Sequence, residues 1–258
     1  MNEIHVSPID KYTALDMVKR YHYSDTLPKI NRYFLGAFLD GELVGVVTLG
    51  YGTRPLHTIR RIFPSLDTED YLEIGRMCMT DAMPRNSETK MLSRVVHWLR
   101  QHSRKTKVLF TWADGMLGKP GYVYQAASFL YAGYSITDIY SIDGIKIHPR
   151  AIKSILLENP SSDKRVTVRP TLEQMREFRI SHYRGKQFRY LAFTCNKPEK
   201  RRLMGECLVS LSCEYPKQNA LQWMEQDAKT GKWHVCNQPQ ILTDSQACFR
   251  TTNQLKLF

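Results

Sequence analysis

Two apolar runs joined by Asp40-Gly41 place the strongest local constraint on how this chain folds. Residues 31–52 read NRYFLGAFLDGELVGVVTLGYG, and an Asp-Gly pair between two apolar runs predicts a β-hairpin closed by a tight turn. A lone hairpin is marginal in water, because its apolar face needs cover from other elements. The neighbouring segments must therefore supply the rest of a sheet and the helices that pack on it.

Hydrophobic periodicity predicts alternating helices and strands, without an internal repeat. We expect helices over 8–24, from the 83–90 turn to about residue 102, over 122–134 with Gly133 closing it, and within 148–158 and 170–180. We expect further strands over 71–81, 106–114, 135–143 and 187–195. This order indicates an α/β (α+β) fold, with a central mixed sheet flanked by helices and a basic helical insertion between the last two strands.

Positive charge is concentrated in the middle of the chain. The 258 residues hold 37 Lys+Arg against 25 Asp+Glu, and the stretches 164–170 and 179–190 interleave cations with aromatic residues. Such a surface suits the phosphates of double-stranded DNA, although charge runs are also typical of a solvated face. We expect DNA contacts from the basic side of the 88–102 helix and from the following residues: Arg150, Lys153, Lys164, Arg165, Arg169, Arg184 and Lys186.

Several protein classes are disfavoured. No apolar run approaches the roughly 18 residues that cross a membrane, and the first residues resemble no signal or transit peptide. The six cysteines form no CxxC pair and are read as reduced thiols. We therefore expect a cytoplasmic protein with no membrane partner.

Candidate catalytic side chains lie in three places. His22 and Tyr23 follow the first predicted helix, and Asp114 follows a strand, with Tyr124 in the first turn of the next helix. Carboxylates at strand ends commonly serve as general bases or metal ligands, whereas Asp before Gly is also an ordinary turn pair. A lone His is more often structural, so these residues remain candidates.

The turn before the 88–102 helix is a candidate anion site. A helix that begins near Ser87 offers free N–H groups and the positive end of its dipole, and Arg85 and Lys90 add charge. The alternative is that Asn86 or Ser87 acts as an ordinary N-cap. We assign Arg85, Asn86, Ser87 and Lys90 to binding a phosphate-bearing cofactor.

The element order resembles the GNAT acyltransferase fold, in which a V-shaped opening between two central strands admits an acyl donor. A more specific resemblance is carried by RYHYS and by five later segments: 76–99, 111–134, 147–152, 189–193 and 214–217. In their order and spacing these segments are similar to the Mom family of phage DNA-modification proteins. The resemblance spans about 15–217 and leaves 218–258 unexplained.

The resemblance implies an enzyme that converts adenine in double-stranded phage DNA to N6-carbamoylmethyladenine and so protects the DNA from host restriction. It implies catalytic roles for His22, Tyr23, Asp114 and Tyr124. The expected donor is acetyl-CoA or another activated acyl or glycyl compound. Iron is a further possibility, with His22, Asp114 and Tyr124 as ligands, although the sequence offers no second histidine nearby.

Mechanistic expectations follow from these assignments. An adenine would be flipped out of the duplex, Asp114 would steer its amine, and Tyr124 would donate to a leaving group or oxyanion. His22 and Tyr23 would orient the donor or hold the ion.

We expect one catalytic domain over 1–217, with a basic insertion at 144–187 and a C-terminal extension over 218–258. The competing hypotheses are a conventional GNAT acting on a protein or small amine, and a non-catalytic DNA-binding protein.

Overall fold

The computed structural model describes residues 3–147 and 169–242. The strands in these ranges are β1 (His5–Pro8), β2 (Asn31–Leu39), β3 (Glu42–Gly50), β4 (Tyr71–Met79), β5 (Val108–Asp114), β6 (Leu130–Ile142), β7 (Ile145–Ile147), β8 (Ile180–Phe193), β9 (Trp223–Gln226) and β10 (Trp233–Cys236). The helices are α1 (Lys11–Tyr21), α2 (Pro55–Arg60), α3 (Ser87–His102), α4 (Tyr122–Ala126), α5 (Leu172–Glu177) and α6 (Lys197–Glu206). None of these described helices is long and apolar enough to span a membrane.

The chain divides into two compact units. The first consists of Met1–Ala113, Gly121–Tyr134 and Phe188–Tyr215. The second consists of Asp114–Pro120, Ser135–Gln187 and Pro216–Phe258. Strands β6 and β8 each contribute residues to both units. The single catalytic domain expected over 1–217 stays a prediction.

The first unit contains a mixed sheet whose strand order is β1-β2-β3-β4-β5-β8-β6. Strands β1 to β4 pair antiparallel, whereas β4 and β5 are parallel and are connected through α3. The β4–β5 ladder joins only Tyr71–Glu73 to Val108–Phe110, although both strands continue beyond it. The central strands therefore part after Glu73, as the GNAT resemblance implied, and the expected α/β class with a central mixed sheet is confirmed.

Local sequence signals explain the elements around this sheet. Asp40 and Gly41 both have positive φ, which is the conformation that a two-residue hairpin turn requires. Helix α1 begins after Asp10, whose side chain accepts hydrogen bonds from Tyr12 N and Thr13 N at 2.8 and 3.0 Å. The apolar residues that recur at helical spacing on α3 form a stripe that packs inward. Met91, Leu92, Val95, Trp98 and Leu99 are buried, and Val96 is half-buried.

The prediction of a helix over 122–134 is wrong. Helix α4 ends at Ala126, and Ser128 adopts a left-handed φ of +59°, after which β6 begins at Leu130. Gly133, expected to end the helix, lies inside β6 with φ +80°, where the guanidinium of Arg189 lies against it. Pairing in the sheet outweighs the helical spacing of these residues.

The second unit has the strand order β7-β6-β8-β9-β10. Strand β8 begins at Ile180, so most of the basic stretch 179–190 is strand and does not lie between strands as expected. Helix α5 falls within the helix expected over 170–180, whereas the one expected over 148–158 lies outside the described residues. Strands β9 and β10 form an antiparallel hairpin in the C-terminal extension, and β9 pairs with β8.

Candidate active site

His22 and Tyr23 lie together at the end of α1. His22 is the C-cap residue of this helix, and its ring stacks on that of Tyr23 with centroids 4.2 Å apart. The Nδ1 atom of His22 accepts a hydrogen bond from Ser24 N at 2.9 Å and also lies 3.0 Å from Ser24 O. The backbone of Ser24 therefore fixes the imidazole ring, and the two aromatic side chains form one small platform.

Arg76 connects this loop to the central sheet, and our sequence analysis did not single it out. Its guanidinium donates to Ser24 Oγ at 3.1 Å and to Thr26 O at 2.8 Å. Burial lowers the pKa of Arg76, and the nearby Tyr23 and Asp25 oppose this shift. Arg76 is the first residue of the 76–99 segment that carries the family resemblance. This position was the signal in the sequence that could have pointed to it.

Glu73 is a second functional candidate missed at the sequence level. It is the last β4 residue of the β4–β5 ladder, opposite Phe110, so it lies where the two strands part. Burial raises the pKa of its carboxyl to about 7, and Gly52 leaves room for it, because a Cβ there would lie 2.4 Å from Glu73 Oε2. A carboxyl with this pKa can take or give a proton near neutral pH. The signal was an acidic residue within the otherwise apolar run YLEI.

Tyr124 lies on α4 in the first unit. Its ring packs against those of Phe129 and Tyr190, with centroids 5.8 and 5.6 Å away. Burial raises the pKa of Tyr124, although the Thr111 hydroxyl opposes the shift. The phenol therefore keeps its proton at neutral pH and can act as a hydrogen-bond donor.

Asp114 ends β5 and belongs to the second unit. Its side chain caps a 3₁₀ turn over Gly115–Leu117, where Oδ1 accepts a hydrogen bond from Met116 N at 3.0 Å. Burial raises the pKa of Asp114, and the positive charge of Lys146 opposes the rise. His22, Tyr23 and Tyr124 lie in the first unit, so the expected four residues are divided between the units.

The N-terminus of α3 lacks a side-chain cap. Asn86 adopts a left-handed φ of +71°, and its side chain makes no capping hydrogen bond. Ser87 is buried, and its hydroxyl donates to Pro84 O at 2.7 Å, so this hydroxyl proton is already used. Ser87 N donates to Pro84 O at 3.2 Å, so an anion would use the N–H groups of Glu88 and Thr89, which the Asn86 side chain does not cap. Arg85 and Lys90 flank this turn as exposed cations.

A basic groove runs between α3 and α6 in the first unit. It consists of two adjoining cavities of about 560 and 620 Å³ that share Arg100 and Cys195. The cationic and histidine side chains that line the groove are Arg94, His97, Arg100, Arg104, Lys107, Lys197, Lys200 and Arg202. Glu199 is an acidic residue of the lining, and it pairs with Lys107 and Arg202. The groove therefore presents an excess of positive charge.

The sequence matches the Mom protein family over residues 3–217. The chain belongs to the Mom family. A characterised relative, the methylcarbamoylase mom of Escherichia phage Mu, is 30% identical over 199 residues, which cover 77% of this chain and 79% of that protein. The family assignment reached from the quoted segments is confirmed. The matched range contains His22, Tyr23, Asp114 and Tyr124, and it ends before β9.

Solved structures similar to this Mom-family protein include acetyltransferases. One is a Bacillus subtilis acetyltransferase in complex with CoA, with a TM-score of 0.38 and 12% identity, covering 75% of this chain and 99% of that one. Another is a GNAT family acetyltransferase from Elizabethkingia anophelis with acetyl-CoA bound, with a TM-score of 0.36 and 15% identity, covering 74% and 98%.

The Mom-family protein does not offer a fitting site for iron within residues 3–147 and 169–242. In these ranges no three or more His, Cys, Asp and Glu side chains are grouped so that they could hold a metal ion. We therefore derive no step through a metal.

The residues assigned to DNA phosphates have different environments. Arg150, Lys153, Lys164 and Arg165 lie outside the described residues, and Arg169 is exposed. Arg184 donates to Asp138 Oδ1 at 2.7 Å, and its guanidinium covers the Trp233 ring at 4.1 Å. Lys186 donates to Ala220 O at 3.2 Å. Arg184 and Lys186 thus already have protein partners in the second unit, and their DNA contacts stay predictions.

Proposed function

We propose that this protein is a transferase that modifies N6 of adenine in double-stranded phage DNA, giving N6-carbamoylmethyladenine and protecting the DNA from restriction. The observation that supports this proposal most directly is the match to the Mom family over 3–217, together with the 30% identity to the phage Mu methylcarbamoylase. The matched range contains all four proposed catalytic residues.

The proposed DNA contact in the first unit is the groove between α3 and α6. Arg104, Lys197 and Lys200 are groove cations that pair with no carboxylate among the described residues. Unpaired cations in a groove bind phosphates by releasing the counterions of DNA, whatever the base sequence. The target adenine is flipped from the duplex, because N6 of a stacked base cannot be enclosed by a catalytic cleft.

The proposed chemistry is a substitution at a carbon of the donor. The adenine N6 forms a bond to this carbon, the bond to the leaving group breaks with its electron pair, and N6 loses one proton. Asp114 accepts a hydrogen bond from the amine and orients it. Tyr124 remains protonated and donates to the leaving group or to a developing oxyanion. Asp114, whose pKa is raised by burial, is also the proposed acceptor of the proton.

The donor is proposed to be an activated acyl or glycyl compound. For the carbamoylmethyl product its transferred carbon must already carry the carboxamide, because acetyl-CoA by itself supplies only an acetyl group. Such a donor, when bound, supplies the activated carbon. The uncapped first turn of α3, with Arg85 and Lys90 beside it, fits the phosphates of a CoA-type donor. His22 and Tyr23 orient the donor's reactive end, and Arg76 holds them through Ser24.

The test is mass spectrometry of nucleosides from plasmid DNA isolated from cells that express the protein. We expect a heavier deoxyadenosine with the wild type, and its added mass identifies the transferred group. Asp114→Asn should abolish the modification, whereas Asp16→Asn, on the exposed side of α1, should preserve it. Normal nucleosides with the wild type would overturn the proposal. Retained DNA binding would then favour a non-catalytic DNA-binding protein.

A further inference from the structure

The loop from Asp114 to Pro120 is shaped by hydrogen bonds to its own backbone. Met116 N donates to Asp114 Oδ1 at 3.0 Å, and Gly118 N donates to Gly115 O at 3.1 Å. Such a short turn, rich in glycine, has little stiffness of its own. The orientation of the Asp114 carboxylate therefore depends on what holds Gly115 and Met116.

The C-terminal extension binds this loop at two points. The indole N–H of Trp223, the first residue of β9, donates to Gly115 O at 3.1 Å. Gly115 O thus accepts one bond from inside the turn and one from outside it. Farther along the loop, the side chain of Gln238 lies against Gly118, where a Cβ would be 2.7 Å from its Oε1.

The side chain of Met116 packs against strand β8. Its sulfur occupies the space above Gly185, where a Cβ would lie only 2.1 Å from the sulfur. Met116 is 2% exposed, so its side chain cannot move without disturbing this packing. Gly185 pairs with Trp223 in the β8–β9 ladder. The residue that packs against the Met116 sulfur and the residue that donates to Gly115 O are therefore neighbours on paired strands.

We infer that Trp223 is a positioning residue, which holds the Gly115–Leu117 turn so that Asp114 faces its substrate in one fixed orientation. The inference rests on the proposed function only for the role of Asp114. It assigns a purpose to the 218–242 part of the C-terminal extension, which lies beyond the range matched by the Mom family. The orientation of the Asp114 carboxylate, a residue within the matched range, thus depends on a segment that lies outside that range.

Trp223→Phe in the full-length protein tests the inference, because it retains a ring and removes the N–H donor. We expect the exchange of the Met116 amide hydrogen to become about fivefold faster, the factor that a typical net hydrogen-bond contribution of about 1 kcal/mol produces. We also expect the kcat for DNA modification to fall about tenfold while KM for DNA stays unchanged, since misorientation affects the reaction more than binding. Val235→Ala, at an exposed β10 position, is the matched control and should change neither.

Benzothienylalanine at position 223 gives a second test, because it replaces the indole N–H by sulfur with almost the same shape. It should reproduce the effects of Trp223→Phe, because the packing of the ring is retained and only the N–H donor is lost. Unchanged Met116 exchange in both variants would overturn the inference. The proposed function fails separately, if Asp114→Asn leaves DNA modification intact while Trp223→Phe still speeds Met116 exchange.

Discussion

The guanidinium of Arg76 donates to the hydroxyl of Ser24 at 3.1 Å and so ties the loop after α1 to the strand β4. This bond joins residues 52 positions apart in the sequence. It holds the His22–Tyr23 platform beside the part of β4 that has left the β4–β5 ladder. A single side chain thereby links a candidate catalytic loop to the opening in the sheet.

Arg76→Lys tests this link. Lysine keeps the charge but cannot reproduce the forked contacts to Ser24 and Thr26. We expect DNA modification to fall at least tenfold and the free energy of unfolding to fall by about 1–2 kcal/mol, as for the loss of charged hydrogen bonds. Plasmid nucleoside analysis and urea denaturation measure the two effects. Arg20→Lys, at an exposed helix position, is the control and should leave both within error; full activity of Arg76→Lys would contradict the assignment.

Glu73 predicts a pH dependence of stability. Its folded pKa of about 7 lies above the unfolded value of about 4.3, so the folded state binds the proton more tightly. The stabilising effect is complete below pH 4.3 and is lost as the pH rises through 7. Relative to Glu73→Gln, the wild type should lose up to about 3 kcal/mol of unfolding free energy over this range. Urea denaturation from pH 4.5 to 8 measures the difference, and parallel curves for the two proteins would refute it.

The groove between α3 and α6 predicts salt-dependent DNA binding. Arg104→Ala and Lys200→Ala each remove a groove cation, so each should weaken binding to duplex DNA of any sequence. The slope of log Kd against log salt should fall by about 1 for each phosphate that the variant no longer neutralises. Fluorescence anisotropy with a labelled duplex measures both effects. Lys11→Ala removes the same charge from α1 and should leave the slope unchanged, whereas equal weakening in all three variants would indicate only a net-charge effect.

Substitution of two glycines by alanine should change the stability of the protein in opposite directions. Gly121 precedes α4 with φ +97°, and a Cβ there would lie 2.5 Å from the Tyr190 ring. Gly121→Ala should therefore destabilise the protein by about 1–3 kcal/mol, through strain and overpacking. Gly205 lies in α6 with nothing within 4 Å of an added Cβ, so Gly205→Ala should stabilise by about 0.5–1 kcal/mol. Thermal unfolding measures both, and shifts of the same sign would contradict the structural argument.

Much of the fold could be predicted from short-range patterns. The Asp40-Gly41 hairpin and the apolar face of α3 depend on residues only a few positions apart, so the local sequence contains the necessary information. The segments that carried the Mom resemblance likewise led to the correct family. The error over 122–134 has the opposite cause, because helical spacing there competes with pairing to distant strands. A single sequence does not show which of the two has the lower free energy.

Local residue patterns thus decided where turns, caps and apolar faces occur, since these arise from neighbours along the chain. Contacts between distant residues decided the candidate site. Arg76 reaches Ser24 across 52 positions, and Trp223 reaches Gly115 across 108. The pKa of Glu73 is likewise raised by burial, which exists only once the sheet has closed around it. Desolvation and long-range hydrogen bonds are properties of the packed chain, so they emerge with the tertiary structure and leave little trace in composition or periodicity.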